Sequence, residues 1–111
     1  MAGVCIVAAR RTVLGRFLGK LRDASPVDLA CAAARPALDG LDASAIDQVI
    51  VGNVLGAGQG MNIARQVGVR VGLPPEVPAF TVNMMCGSGL QAVRLAAQAI
   101  RAGEARAILC G

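Results

Sequence analysis

The chain has 111 residues, the size of one ordinary domain. Hydrophobic residues make up 55% of it and charged residues 16%, a composition that excludes an intrinsically disordered chain. The net charge is +4, only 2% of the residues are aromatic and none is histidine. This argues against a reader of single-stranded nucleic acid and excludes Ser-His-Asp, Cys-His and imidazole–metal sites built from this chain alone.

The chain begins with an apolar run that is followed by a basic segment. Gly3–Ala9 is short, continuous and rich in β-branched residues, which predicts a strand buried on both faces. Arg10–Ala24 is glycine-containing and predicts a loop, and it holds a cluster of cations: Arg10, Arg11, Arg16, Lys20 and Arg22. Such a cluster fits either a phosphate-binding patch or a solvated loop or subunit contact. No recognition motif accompanies it, so we favour the second interpretation and expect no nucleic-acid partner.

A capped helix is predicted after the basic segment. Ser25 at the N-cap, Pro26 at the first helical position and Asp28 in the first turn indicate its start, and Gly40 indicates its end. Pro36 removes a backbone donor inside this helix, so we expect the helix to bend or to end early there. Three further segments follow: a strand at Gln48–Val54, a flexible connection at Leu55–Gly60 and a helix at Met61–Gly72.

The last part of the chain predicts two more strands around a strongly amphipathic helix. The strands are Pro78–Asn83 and Ala105–Cys110, and the helix begins near Gly87 and ends at Gly103. The order β-α-β-α-β-α-β predicts an α/β fold with a mostly parallel sheet. Because the chain ends on a strand of the buried type with nothing to cover it, we expect residues 1–111 to be a truncated domain.

The four cysteines are widely spaced, without the C-x-x-C pairs typical of metal sites. Cys5, Cys31 and Cys110 lie in apolar stretches, where a thiol behaves as a small buried hydrophobe. The N-terminus does not resemble a secretory leader, and no apolar run is long enough to span a bilayer. We therefore expect a soluble, cytoplasmic protein without disulfides, bound metal or membrane contact.

Cys86 is the residue in this sequence best placed for chemistry. It lies between a predicted strand and a predicted helix, at the sheet edge where ligand sites of parallel α/β folds gather. The positive end of the helix dipole favours a thiolate there, and Gly87 and Gly89 leave the sulfur accessible. The backbone N–H of Cys86 is also suited to stabilise a developing oxyanion. On spacing alone, a small residue in a tight turn is an equally good interpretation.

The segment around Cys86 resembles a motif of the thiolases, the acetyl-CoA acetyltransferases and 3-ketoacyl-CoA thiolases. Asn83–Val93 (NMMCGSGLQAV) is similar to the family element N-x-x-C-G-S-G-L-x-A-V. Ile6–Thr12, Val51–Leu55, Gly60–Gln66 and Ala107–Gly111 resemble other family segments in the same order and spacing. The resemblance covers the whole chain and implies that residues 1–111 are the truncated N-terminal portion of a thiolase-like domain.

This resemblance implies an acyltransferase that moves an acyl group between CoA thioesters, by thiolysis or Claisen condensation, as in fatty acid metabolism. Cys86 would be the nucleophile that carries the acyl group, with its backbone N–H in the oxyanion hole. Acyl-CoA and CoA would be substrates, and no cofactor is implied. The family's subunit contacts imply a homo-oligomer, a homodimer, with contacts near Asn62, Arg65 and Gln66.

The resemblance also implies that much of the catalytic machinery lies beyond the matching residues. The CoA-binding loop region, two catalytic histidines and a second, acid/base cysteine of the family have no counterpart here, and Cys5, Cys31 and Cys110 do not align with that cysteine. We therefore expect the chain alone to be inactive. The alternative is a non-catalytic dimerising remnant or gene fragment of the same fold.

Overall fold

A computed structural model describes residues 3–111. Within this range three helices and three strands alternate. In order they are α1 (Pro26–Leu38), β1 (Gln48–Gly52), α2 (Ile63–Arg70), β2 (Ala79–Val82), α3 (Ser88–Arg101) and β3 (Ile108–Cys110), with a short 3-10 turn at Ala43–Ala45 between α1 and β1.

The three strands form one parallel sheet in the order β2-β1-β3. The central strand β1 is apolar on both faces because both are covered by helices. Val49 packs in a cluster with Ala64 of α2, whereas its neighbour Ile50 packs with Ala92 and Ala96 of α3. The predicted α/β class and parallel sheet are therefore confirmed, with α2 and α3 on opposite faces.

Helix α1 covers α2 and begins where the sequence predicts. The Ser25 hydroxyl accepts a hydrogen bond from the Asp28 N–H at 3.1 Å, and the Asp28 carboxylate accepts one from the Ser25 N–H at 2.9 Å. Val27 and Cys31 of α1 pack against Ile63 and Val67 of α2. This reciprocal cap fixes the first turn of α1 and with it the face that α1 presents to α2.

The sequence predicts that the helix bends or ends early at Pro36, and of these two outcomes the early end does not occur. Helix α1 continues through Pro36 to Leu38. Pro36 is exposed and lies in the last turn, so its ring meets solvent and its missing N–H costs a single bond near a helix end.

The predicted strand Gly3–Ala9 is also wrong. The segment has no strand pairing, and Ile6 and Val7 are each 76% exposed. A strand needs a neighbour for its N–H and C=O groups, and within residues 3–111 both edges of the sheet, β2 and β3, are without a further strand. For the same reason Cys5 is exposed rather than buried, and the order observed is α-β-α-β-α-β.

The predicted strand after α3 is shorter than expected. It begins at Ile108 rather than Ala105, because Asp47 accepts hydrogen bonds from the Arg106 N–H at 2.7 Å and from the Arg106 guanidinium at 3.2 Å. These bonds fix the entry into β3 beside β1 before the ladder starts. No helix in the part of the chain that the structure describes has the length and apolar character needed to cross a membrane.

Candidate active site

Cys86 lies on the five-residue turn that leads from β2 into α3. Strand β2 ends at Val82 and α3 begins at Ser88, so the turn projects from the carboxyl edge of the sheet as the sequence predicts. The cysteine is exposed. Its sulfur is thus presented to solvent at the edge where parallel α/β sheets place their ligand sites.

The residue before Cys86 has an unusual backbone conformation. Met85 has φ = +49°, a left-handed conformation that costs a non-glycine side chain free energy. Such residues persist where the surrounding structure holds them, and they are concentrated at functional sites. At Met85 the chain reverses sharply, and this reversal directs Cys86 outward between the strand and the helix.

Two polar side chains hold the turn. The Asn83 carboxamide oxygen accepts a hydrogen bond from the Met85 N–H at 3.0 Å. The Ser88 hydroxyl accepts one from the Met84 N–H at 2.9 Å and donates one to the Met85 carbonyl at 2.6 Å. Ser88 is 5% exposed, so these bonds are shielded from water. Sequence reasoning missed this role of Ser88, and the signal that was available is a hydroxyl between two glycines.

The backbone N–H groups around Cys86 divide into paired and free ones. The Gly87 N–H donates to the Met84 carbonyl at 3.0 Å, and the Ser88 N–H donates to the Met85 carbonyl at 3.1 Å. Within residues 3–111 the Cys86 N–H donates to no acceptor. Gly87, the N-cap of α3, makes no side-chain capping bond, so the positive end of the 14-residue helix faces the cysteine. An anion formed at this turn would meet a free donor and a favourable dipole.

A close backbone contact sets the position of the helix. A Cβ atom on Gly52, at the end of β1, would lie 2.6 Å from the Gly89 nitrogen of α3. No other residue type fits there without movement of the helix, so Gly52 brings the first turn of α3 directly against the sheet.

The four thiols differ in their surroundings. Cys31 is buried in the α1–α2 core, and burial raises the pKa of the half-buried Cys110. Cys5 and Cys86 are both exposed. Among residues 3–111 no group of three or more His, Cys, Asp or Glu side chains is arranged to hold a metal ion.

The polar side chains of the predicted subunit contact are used within the chain. Asn62 donates to the Ala79 carbonyl at 2.9 Å and caps α2 by accepting from the Arg65 N–H. The Arg65 guanidinium donates to the Val77 carbonyl at 2.8 Å, and Gln66 donates to the Gln59 carbonyl at 2.8 Å. These bonds tie α2 to β2 and to the preceding glycine-rich connection.

The basic cluster of the N-terminal segment lies in exposed chain without regular secondary structure. Among the residues that the structure describes, the cluster's ion pair joins neighbouring residues, Arg22 and Asp23, at 3.5 Å. Among residues 3–111 no aromatic side chain other than Phe17 lies in the cluster. The predicted interpretation, a solvated loop, fits this arrangement.

Comparison with known proteins adds the context of a family. The family model described as "Thiolase, N-terminal domain" matches residues 4–111. The acetyl-CoA acetyltransferase of Pseudomonas aeruginosa is 50% identical over 113 aligned positions, which cover 100% of this chain and 29% of that protein. The acetyl-CoA acetyltransferase of Escherichia coli is 47% identical with the same coverage.

Solved structures give the same picture. Human mitochondrial 3-ketoacyl-CoA thiolase matches with a TM-score of 0.89 and 43% identity, over 94% of this chain and 27% of that one. Acat5 thiolase from Ascaris suum, in complex with coenzyme A, matches with a TM-score of 0.86 and 39% identity, over 88% and 26%. The chain thus spans 29% of the length of the curated relatives it matches.

Proposed function

The chain belongs to the thiolase family, and we propose that it supplies the nucleophile, Cys86, of an acyltransferase reaction between CoA thioesters. The observation that carries this proposal is the presentation of Cys86: an exposed thiol on a strained turn, next to its own free N–H and at the N-terminus of α3. Cys5, also exposed, lies in a segment without regular structure and is neither on a strained turn nor at a helix N-terminus.

The first half of the reaction uses the sulfur and the N–H together. The Cys86 thiolate attacks the carbonyl carbon of an acyl-CoA, and the carbonyl oxygen becomes an oxyanion toward which the Cys86 N–H donates. When the intermediate collapses in the direction of condensation, the carbon–sulfur bond to CoA breaks and CoA leaves as its thiolate. In the direction of thiolysis the substrate is a 3-ketoacyl-CoA that Cys86 attacks at the 3-keto carbon, the bond from that carbon to the CoA-bearing part breaks, and that part leaves as an acyl-CoA carbanion that takes up a proton. The acyl group is then held on Cys86 as a thioester.

In the second half the acyl group leaves Cys86. The thiolate of a free CoA attacks the acyl carbon in thiolysis, or the carbanion of a second acyl-CoA attacks it in Claisen condensation, and the Cys86 thiolate is regenerated. CoA thioesters are substrates in both directions, and the proposal includes no metal or redox cofactor. The relatives that match this chain include an acetyl-CoA acetyltransferase and a structure in complex with coenzyme A. These matches support CoA thioesters as the substrate class.

We further propose that these 111 residues do not sustain turnover by themselves. Both directions require proton transfers to and from sulfur or carbon, and the chain contains no histidine to perform them at neutral pH. A single slow transfer to Cys86 needs only the thiolate fraction present in solution. We therefore expect the chain alone to undergo one acylation of Cys86 but not to catalyse repeated turnover.

A second copy of the chain is the partner that we propose, with contacts near Asn62, Arg65 and Gln66. The internal hydrogen bonds of these side chains hold the neighbouring loop, where Met61 is 91% exposed and Leu55 is 80% exposed. Such exposed apolar side chains on an ordered loop fit a subunit contact. Sedimentation of Met61→Asp against the unmodified chain tests this: a dimer that becomes a monomer supports it, and a chain that is monomeric in both forms contradicts it.

A reducing compartment, the cytoplasm, is part of the proposal. All four cysteines are free thiols, which is the state that such a compartment maintains. The nucleophile of the proposed reaction requires that state.

The experiment that tests the proposed function is release of free CoA from acetyl-CoA by the purified chain. We expect one CoA per chain at most, after which release stops because the acyl group remains on Cys86. Cys86→Ser should release none above the background given by the other thiols. Equal release by the two proteins would contradict the proposal and favour a non-catalytic remnant of the fold.

A further inference from the structure

We propose that Ser88 is a positioning residue for Cys86: its hydroxyl fixes the left-handed Met85 and so aims the free Cys86 N–H at the oxyanion. The inference rests on the proposed function, because it concerns how the acyl-transfer step is stabilised. Ser88 itself does not touch the reacting atoms in this scheme. It acts through the backbone on either side of Met85.

The hydroxyl is fully used in holding the turn. It has one proton, which it donates to the Met85 carbonyl at 2.6 Å, and it accepts from the Met84 N–H at 2.9 Å. No proton is left for a substrate, and a side chain that is 5% exposed is out of reach of one. Catalysis by Ser88 as a nucleophile or donor is therefore excluded, and a role in positioning remains.

The two bonds act on the peptide groups that determine the direction of the Cys86 N–H. The Met85 carbonyl and the Cys86 N–H belong to the same peptide plane, so an atom that fixes the carbonyl also fixes the N–H. Ser88 holds the Met85 carbonyl oxygen toward the start of the helix. Because the two groups point in opposite directions in a trans peptide, the Cys86 N–H is directed away from the helix. The absence of another acceptor for this N–H within residues 3–111 agrees with that direction.

Asn83 supports the same turn from its other side. Its carboxamide oxygen accepts from the Met85 N–H at 3.0 Å, and its NH₂ group donates to the Val54 carbonyl at 3.3 Å. Both peptide planes of Met85 are thereby held by side chains, which accounts for the persistence of φ = +49°. Unlike Ser88, Asn83 is exposed, so it can be replaced without opening the core.

Two reagents separate positioning from a merely structural role. Acetyl transfer from acetyl-CoA passes through an oxyanion and depends on the direction of the N–H, whereas alkylation by iodoacetamide forms no oxyanion and depends on the exposure of the sulfur. Both rates are measured at Cys86 by peptide mapping. For Ser88→Ala we expect the acetylation rate to fall on the order of tenfold relative to the alkylation rate. Ser44→Ala, at an exposed serine remote from the turn, should leave the ratio unchanged.

A second pair of variants keeps the test decisive should Ser88→Ala fail to fold. Asn83→Ala removes the acceptor for the Met85 N–H and should lower the same ratio, whereas Asn83→Asp retains that acceptor and should restore it. An unchanged ratio in Ser88→Ala, or in Asn83→Ala if only that variant folds, overturns the positioning role while acetylation of the unmodified chain still supports the proposed function. If the unmodified chain is alkylated at Cys86 but never acetylated there, the proposed function fails, and the inference fails with it.

Discussion

A Cβ atom placed on Gly52 would lie 2.5 Å from the carbonyl oxygen of Ser88, so the end of β1 and the first turn of α3 are in backbone contact. The two residues are 36 positions apart in the chain. This contact fixes the distance between the sheet and the N-terminus of α3. It thereby fixes the position of the turn that precedes the helix. The position of Cys86 is therefore set by the sheet as well as by its own turn.

Gly52→Ala tests this contact. The added methyl group overlaps the α3 backbone, so we expect the free energy of unfolding to fall by about 1–3 kcal/mol. Chemical denaturation measures it. Gly56→Ala is the matched control, since the nearest atom to its Cβ would be 3.8 Å away and its φ is not left-handed, and it should change the stability by less than about 0.5 kcal/mol. Equal stability of the two variants would contradict the close contact.

Substitutions of Met85 test the left-handed turn. Glycine adopts φ = +49° without a steric cost, so Met85→Gly should leave the free energy of unfolding unchanged or raise it by up to about 1 kcal/mol. A β-branched residue is poorly tolerated there, and Met85→Val should lower it by about 1–2 kcal/mol. Thermal or urea unfolding of the pair measures the difference. If Val were tolerated as well as Gly, Met85 would not have the left-handed conformation.

Pro36→Ala should stabilise α1. Pro36 is exposed, so the substitution loses little packing, and it restores an N–H that can join the last helical turn. We expect the free energy of unfolding to rise by about 0.5–1.5 kcal/mol, the net contribution of one hydrogen bond, which is less than the full difference in helix propensity between Pro and Ala because Pro36 lies near the helix end. Urea denaturation measures the change. A decrease would mean that the proline makes contacts that are not seen in this structure.

The Asp47–Arg106 contact predicts a loss of stability in acid. The hydrogen bond from the Arg106 side chain, followed by its backbone N–H, lowers the pKa of Asp47 below the usual 3.8. A lowered folded-state pKa means that the contribution to stability is complete above the unfolded pKa and is lost as pH falls through the folded one. Asp47→Asn should therefore destabilise the chain at pH 7 and flatten the dependence of the urea midpoint on pH below about 4.

Asp39→Asn is the control for the Asp47 variant. It removes the same charge from an exposed carboxylate, and within residues 3–111 that carboxylate forms no salt bridge. Its urea midpoint at pH 7 should stay close to that of the unmodified chain. An Asp47→Asn curve that runs parallel to the unmodified one through the acid range would refute the assigned role of Asp47.

The sequence was most informative where structure is decided locally. The Ser25–Asp28 cap and the stop of α3 at Gly103, which has φ = +77°, follow from the chemistry of a few adjacent residues, and both are present. The turn that carries Cys86 was placed correctly for the same reason. A strand end, two glycines and the start of an amphipathic stripe are all local signals.

The sequence was least informative where distant segments meet. Gly3–Ala9 has the composition of a buried strand, but a strand exists only beside another one, and composition does not say whether a neighbour is present. The role of Gly52 depends on a contact between β1 and α3, which leaves no periodic pattern in either segment. Helix α1 does not end at Pro36 because propensity is weak near a helix end, where the lost bond is one that solvent can replace.

A further prediction concerns repeated catalytic turnover rather than the identity of the nucleophile. With no histidine in its 111 residues, the chain should not catalyse continuous thiolysis of acetoacetyl-CoA by CoA, as followed by the loss of substrate absorbance. Sustained turnover that is abolished in Cys86→Ser would show that the chain supplies its own proton-transfer groups, contrary to the proposal.

The central claim, that Cys86 is the acyl-accepting nucleophile, is tested most directly by the ratio of acetyl groups on Cys86 to those on Cys5 after one sample of the chain reacts with acetyl-CoA. Both thiols are exposed, so accessibility alone predicts a ratio near unity. We predict a ratio on the order of ten or more, because Cys86, unlike Cys5, lies on a turn held by side-chain hydrogen bonds and has a helix N-terminus beside its sulfur. Equal acetylation of Cys5 and Cys86 would contradict the account.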